Sequence, residues 1–114
     1  MNLRVILDIF SGLPNPQWQL GVEQSLVMVS LVSGLSAAEP GAMPPLPDLG
    51  YRGFEVSGFE GSCTTYRIFR GYVDACGTIL QDPTRQAEPW LLQSGEKILD
   101  PGLYAELLTE LTDK

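Results

Sequence analysis

The sequence predicts an α+β fold: an antiparallel sheet of about four strands with two to three helices packed mainly on one face. Three observations predict it. Short alternating runs separated by glycine turns lie at 3–10 and 51–78. Apolar runs free of glycine, at helical spacing, lie at 22–32 and 103–111. The chain has 114 residues, which suits one domain, 1–114, with a hydrophobic core of its own.

The first strand runs from Leu3 to Phe10. Leu3, Val5, Leu7 and Ile9 alternate with Arg4, Ile6, Asp8 and Phe10. Ser11, Gly12, Leu13, Pro14, Asn15 and Pro16 end it. The two prolines remove backbone donors and restrict the residues before them, so a rigid, exposed loop is expected. Trp18 and Leu20 are expected to return the chain to the core.

Val22 to Val32 reads as a helix, because eleven residues without Gly or Pro are long for a strand in so small a domain. Gly21 stands at its cap, with Gln24 three positions on, a weak form of the capping box. Val22, Leu26 and Val29 share a face, and Val27, Met28, Leu31 and Val32 widen it. Deep burial of this helix is the expectation. A Pro/Gly-rich connection follows at about 34–49, holding Pro40, Pro44, Pro45 and Pro47. Loops of this length are uncommon in small domains and often functional or mobile.

Tyr51 to Phe59 reads as the second strand, with a turn at Glu60, Gly61 and Ser62. Cys63 to Phe69 is the third and Tyr72 to Thr78 the fourth, joined by the two-residue turn Arg70-Gly71. Thr84 to Gln93 starts as a helix, but Pro89 interrupts it and is expected to begin a short segment at Trp90. Leu103 to Leu111 is a clearer helix, with Pro101 just inside its start and Asp100 as cap. Leu103, Leu107, Leu108 and Leu111 form its apolar face, and the acidic residues of 96–113 its polar one.

Composition limits function. There are 14 acidic residues, 7 basic ones and no histidine, for a net charge of −7. Without imidazole there is no histidine general base, catalytic triad or imidazole metal ligand. The two cysteines, Cys63 and Cys76, cannot complete a tetrahedral thiolate site. Neither a metal site nor a cofactor is expected in this chain. The negative charge disfavours nucleic acid and anionic membrane surfaces as partners. No apolar run reaches the length of a membrane span, and no signal-peptide pattern opens the chain, so a cytoplasmic protein is expected. There the cysteines are expected as thiols, with a disulfide left open.

Two regions stand out as binding candidates. The loop leading to Trp18 concentrates rigid turn chemistry: Leu13, Pro14, Asn15 and Pro16 could form a preorganised docking element. Its bland alternative is a turn whose tryptophan is core. Arg52, Arg67 and Arg70 hold three of the five arginines, around the proposed hairpins. They could receive carboxylates of a partner or peptide. The alternative is surface pairing with Glu55 or Glu60, which contributes little. Asp8, Glu55, Glu60 and Asp74 are the strand-region carboxylates. A paired-acid hydrolase is conceivable on them, but nothing in the sequence fixes their spacing. No catalytic residue is assigned.

The block Asp8 to Trp18 resembles the opening of a family of small bacterial proteins, whose pattern is Phe-Ser-Gly-Arg-Pro-Asn-Pro, one variable residue, then Trp. The match holds at Phe10, Ser11, Gly12, Pro14, Asn15, Pro16 and Trp18. It departs at Leu13, where the family commonly has Arg. Leu49 to Phe54 looks like the second block and Trp90 to Leu92 like a late one. The functional association this resemblance implies is the accessory subunit of the iron-dependent enzyme complex of 3-thiaglutamate biosynthesis. It implies a heterodimer with a larger TIM-barrel metalloenzyme, which carries the iron, and a carrier peptide as the second partner. It transfers no catalytic residue. The missing histidines agree with it, because iron ligation would fall to the partner. The alternatives are a stand-alone protein- or peptide-binding module and, less favoured, the acid-dependent hydrolase.

Overall fold

The structure is a computed structural model that describes residues 2–10 and 12–112. Its strands are β1 (Arg4–Leu7), β2 (Gln17–Gln19), β3 (Ser36–Ala37), β4 (Phe54–Ser57), β5 (Thr65–Phe69), β6 (Tyr72–Ala75) and β7 (Thr78–Gln81). Its helices are α1 (Val22–Ser33), α2 (Ala87–Ser94) and α3 (Pro101–Thr112). The strands form one open, antiparallel sheet in the order β2-β1-β4-β5-β6-β7-β3. The α+β class holds, and the strand count is seven rather than about four.

The added strands have identifiable causes. The predicted fourth strand, Tyr72 to Thr78, stops at Ala75, and a turn at Cys76 and Gly77 with φ of 53° and 96° leads into β7, most of which lies beyond it. Paired positive φ values are those of a type I′ hairpin turn, which usually selects Asn or Asp before the glycine. Cysteine gives no such signal. Arg70 and Gly71, with φ of 49° and 82°, form the hairpin turn the sequence indicated. β2 and β3 are edge strands of three and two residues, too short for a period-two pattern. β3 falls inside the stretch read as irregular loop.

Alternation sorts the sheet. Val5, Leu7, Phe54, Val56, Ile68 and Val73 point inward and are buried. Met28 and Val32 of α1, Leu91 and Leu92 of α2, and Leu107 and Leu111 of α3 join them in one core cluster. Pro89 neither interrupts this helix nor starts a separate segment at Trp90, contrary to expectation: α2 is continuous from Ala87 to Ser94, and Pro89 sits in its first turn, where its missing N–H would be unpaired anyway. Asp82 starts that helix, accepting the Ala87 amide at 2.9 Å. Asp100 Oδ2 caps α3 through the Leu103 amide at 3.1 Å, as expected. Pro101 and Thr112 bound that helix.

Two further expectations fail. The first is the deep burial of α1. Only Ser25, Met28 and Val32 are buried, whereas Val22, Leu26 and Val27 are exposed. The helix is rotated by about one residue from the predicted face, because Ser25 is needed inside. Its Oγ accepts the Leu3 amide at 3.0 Å and donates to the Leu20 carbonyl at 3.4 Å. A serine on the contact stripe hides that stripe from a hydrophobic pattern. The second is the thiol state: Cys63 and Cys76 form a disulfide. The β5–β6 hairpin brings them together, since Thr65 lies across from Cys76 once the Tyr66–Ala75 register is extended by one pair.

Candidate functional site

The sheet brings the first two motif blocks together. Asp8 follows directly on β1, and its amide donates to the Gly53 carbonyl at 3.0 Å. The Arg52 amide donates to the Asp8 carbonyl at 2.8 Å. Gly53, at φ 91°, has no room for a Cβ, which would collide with the Ile68 carbonyl and the Phe69 Cβ. A glycine there lets the second block lie against β5. The helix that carries the late block, α2, is tied to the first block through Trp18, whose Nε1 donates to Ser94 Oγ at 2.9 Å, two residues past Leu92.

Asp8 is the hub. Its side chain is 13% exposed and accepts from Arg67 at 2.9 Å and from Asn15 Nδ2 at 3.3 Å. Arg67 also donates to the Arg52 carbonyl at 2.9 Å and stands 3.7 Å from Glu55. Sheet register flanks it with Glu55 on one side and Asp74 on the other. This guanidinium is therefore spent on internal contacts. Arg52 is freer. Its Nη1 is 3.9 Å from Asp8, its Nε lacks a hydrogen-bond partner, and its side chain is 39% exposed. Arg70 stands apart at the β5–β6 turn, exposed, its guanidinium 5.1 Å from the Phe69 ring centre. The three arginines do not make one cluster around a ligand. Asp8 Oδ2 meets the Arg67 guanidinium and Oδ1 the Asn15 amide, so both of its oxygens are engaged in internal contacts.

The loop of the first block is folded onto itself. Asn15 Oδ1 accepts the amides of Ile9 at 3.0 Å and Phe10 at 2.8 Å. The Pro16 carbonyl accepts the Leu7 amide at 3.0 Å. Asn15 and Trp18 thus hold the loop in shape; Trp18 is buried and presents no docking surface. Ser11 lies outside the described residues. What the loop does present is apolar. Phe10 and Leu13 are 40% and 67% exposed, and Leu49 of the facing block is 71% exposed. Ile9, Phe10, Leu49, Gly50, Arg52 and Asp48 line a small cleft of about 60 Å³. Pro14 is exposed beside Leu13, and Pro16 is half-buried.

Asp82 and Glu88 are two further buried carboxylates, and no pattern in the sequence singles out either. Glu88 is 1% exposed and accepts from Tyr51 Oη at 2.7 Å, Arg85 at 2.8 Å and the Arg70 and Gly71 amides at 2.6 and 3.2 Å. It fastens α2 to the β5–β6 turn. Apart from Arg85, three residues before it, the partners of Glu88 come from 17 to 37 positions away. No group of three or more His, Cys, Asp or Glu residues suited to a metal occurs among the described residues. No helix among them is long and apolar enough to cross a membrane. Comparisons with protein-family models, curated proteins and solved structures returned no match.

Proposed function

We propose that this protein is a non-catalytic accessory subunit. It docks on a larger iron-dependent, peptide-modifying TIM-barrel enzyme in the cytoplasm and holds that enzyme's carrier peptide. The observation that carries the reading is the exposure of three apolar side chains, Phe10 and Leu13 on the first-block loop and Leu49 on the facing segment, while Asn15 ties the start of that loop down through the Ile9 and Phe10 amides. Exposed apolar side chains on a rigid support suit protein contact, because little ordering entropy is lost on association. Leu13 in place of the family's Arg makes this surface more apolar. Arg52, at the rim of the cleft, supplies one cation for a partner carboxylate. Iron and its His and carboxylate ligands belong to the enzyme in this reading.

The test is reconstitution with the large enzyme encoded next to this chain and with its carrier peptide. Light scattering should show a heterodimer. A mixture that stays monomeric with peptide present overturns the reading.

A further inference from the structure

β2 is an edge strand with one side already used. The Leu20 amide donates to the Leu3 carbonyl and the Leu7 amide to the Pro16 carbonyl. With Val5 opposite Trp18, the even positions 16, 18 and 20 thus face β1. Antiparallel ladders alternate, so the N–H and C=O groups of Gln17 and Gln19 point away from β1, off the sheet. Both residues are exposed, and their backbone groups have no hydrogen-bond partner outside the strand ladder among the described residues.

This edge is unusually well held. Asn15 and Pro16 fix the chain before it. Trp18 fixes its middle, through Ser94 and through Gly95, where a Cβ would collide with the indole ring. The Gly21 amide, just beyond it, is taken by Gln24 Oε1 at 3.3 Å. No charged side chain of β2 guards it, although exposed edges are commonly blunted by charge. The first motif block therefore builds, besides its apolar loop, a rigid pair of outward-facing peptide groups.

We infer that the β2 edge binds an extended acidic peptide as an added antiparallel strand, through the main chain of Gln17 and Gln19. Arg4 supplies the charge preference. It is exposed, has no ion-pair partner among the described residues, and lies in register behind Gln19 on the outer face. A peptide residue opposite Gln19 stands on that same face, two strands from Arg4, roughly 10 Å between Cα atoms. Arginine and glutamate side chains together span that gap. A second copy of this chain fits less well, because its own β2 edge, Gln17-Trp18-Gln19, brings no carboxylate to meet Arg4. The inference rests on the peptide-holding half of the proposed function and gives it an address.

The experiment uses the full chain and a blocked peptide, Thr-Val-Glu-Val-Thr, with amide exchange followed by NMR. Protection of the Gln17 and Gln19 amides should rise about ten-fold at saturation, while the Trp18 amide, already bonded, changes little. A peptide N-methylated at the residue facing Gln19 should lose binding, which leaves the protein itself unaltered. Arg4→Glu should weaken binding about five-fold, and a peptide with Lys in place of Glu should restore it on that variant. Unchanged exchange at both amides at millimolar peptide overturns the inference. So does protection that appears without peptide and grows with protein concentration, which would mark a self-pairing edge. A heterodimer that forms while the edge stays unprotected overturns the edge site alone and leaves the docking reading standing.

Discussion

Tyr51 donates its hydroxyl to Glu88 across 2.7 Å, joining residues 37 positions apart in the interior. Burial pushes the Tyr51 pKa far above its ordinary 10.0, and the neighbouring Glu88 charge pushes it further. In the unfolded chain this phenol ionises near 10.0; in the folded chain it stays protonated well beyond that. Above pH 10 the folded state then binds one more proton than the unfolded state, so stability falls as pH rises. The slope this adds is about 1.4 kcal/mol per pH unit. Urea unfolding between pH 10.5 and 11.5 should show the native chain losing stability more steeply than Tyr51→Phe by about that amount. Parallel profiles would show that Tyr51 ionises freely in the fold.

Gly95 lies against the indole of Trp18, with no space for a methyl group. Gly95→Ala must displace Trp18 or open the end of α2. Either breaks the bond from Trp18 Nε1 to Ser94 and strains the edge strand. A loss of about 2–3 kcal/mol is expected from overpacking and a stranded indole donor. Chemical denaturation measures it. A loss below about 0.5 kcal/mol would mean the contact relaxes without cost. Trp18 fluorescence should shift in the same variant, because the ring is otherwise 7% exposed.

The Cys63–Cys76 bond, with a sequence separation of 13, closes a short loop around the β5–β6 hairpin. Loop-closure entropy puts its contribution near 3 kcal/mol. In a reducing cytosol the pair would be held as thiols, so the proposed location requires a fold that stands without the bond. The double variant Cys63→Ser, Cys76→Ser should remain folded by circular dichroism and unfold at lower urea concentration, by about 3 kcal/mol. An unfolded double variant would place the working protein in an oxidising compartment and remove the cytoplasmic part of the proposal.

What the sequence made legible was local. α3 carries its own start signal in Asp100 and Pro101, and the Arg70-Gly71 turn is a two-residue hairpin with its glycine in place. The α+β class follows from such signals. Three kinds of feature were out of reach. Edge strands β2 and β3 take their identity from partners far along the chain, not from their own residues. The rotation of α1 depends on Ser25 meeting Leu3 and Leu20, which a hydrophobic pattern reads backwards. The roles of Asp8, Arg67 and Glu88 rest chiefly on contacts to residues far along the chain, Asp8 to Arg67 across 59 positions and Glu88 to Tyr51 across 37. Polar side chains that bind one another inside a fold look, in sequence, like a solvated face. Part of the arginine surface expected for a carboxylate ligand was of this kind: Arg67 already has its carboxylates.

Two exposed apolar surfaces compete for the docking role, and one substitution in each separates them. Leu13 stands in the first-block loop, and Leu26 stands on the outer face of α1, where Leu26, Val27, Ser30, Leu31 and Gln86 border a shallow depression. Both leucines are more than half exposed, at 67% and 58%, so Asp at either position should change stability little. Burying a carboxylate in a protein contact is costly, whichever surface is used. In reconstitution with the large enzyme, Leu13→Asp should weaken the heterodimer at least about ten-fold, a change of about 1.4 kcal/mol or more. Leu26→Asp should leave it within about two-fold. Titration calorimetry reads both. The reverse order would move the docking surface to α1 and leave the first-block loop with the shaping of the β2 edge alone. Equal affinity for both variants and the native chain would show that neither apolar face meets the enzyme.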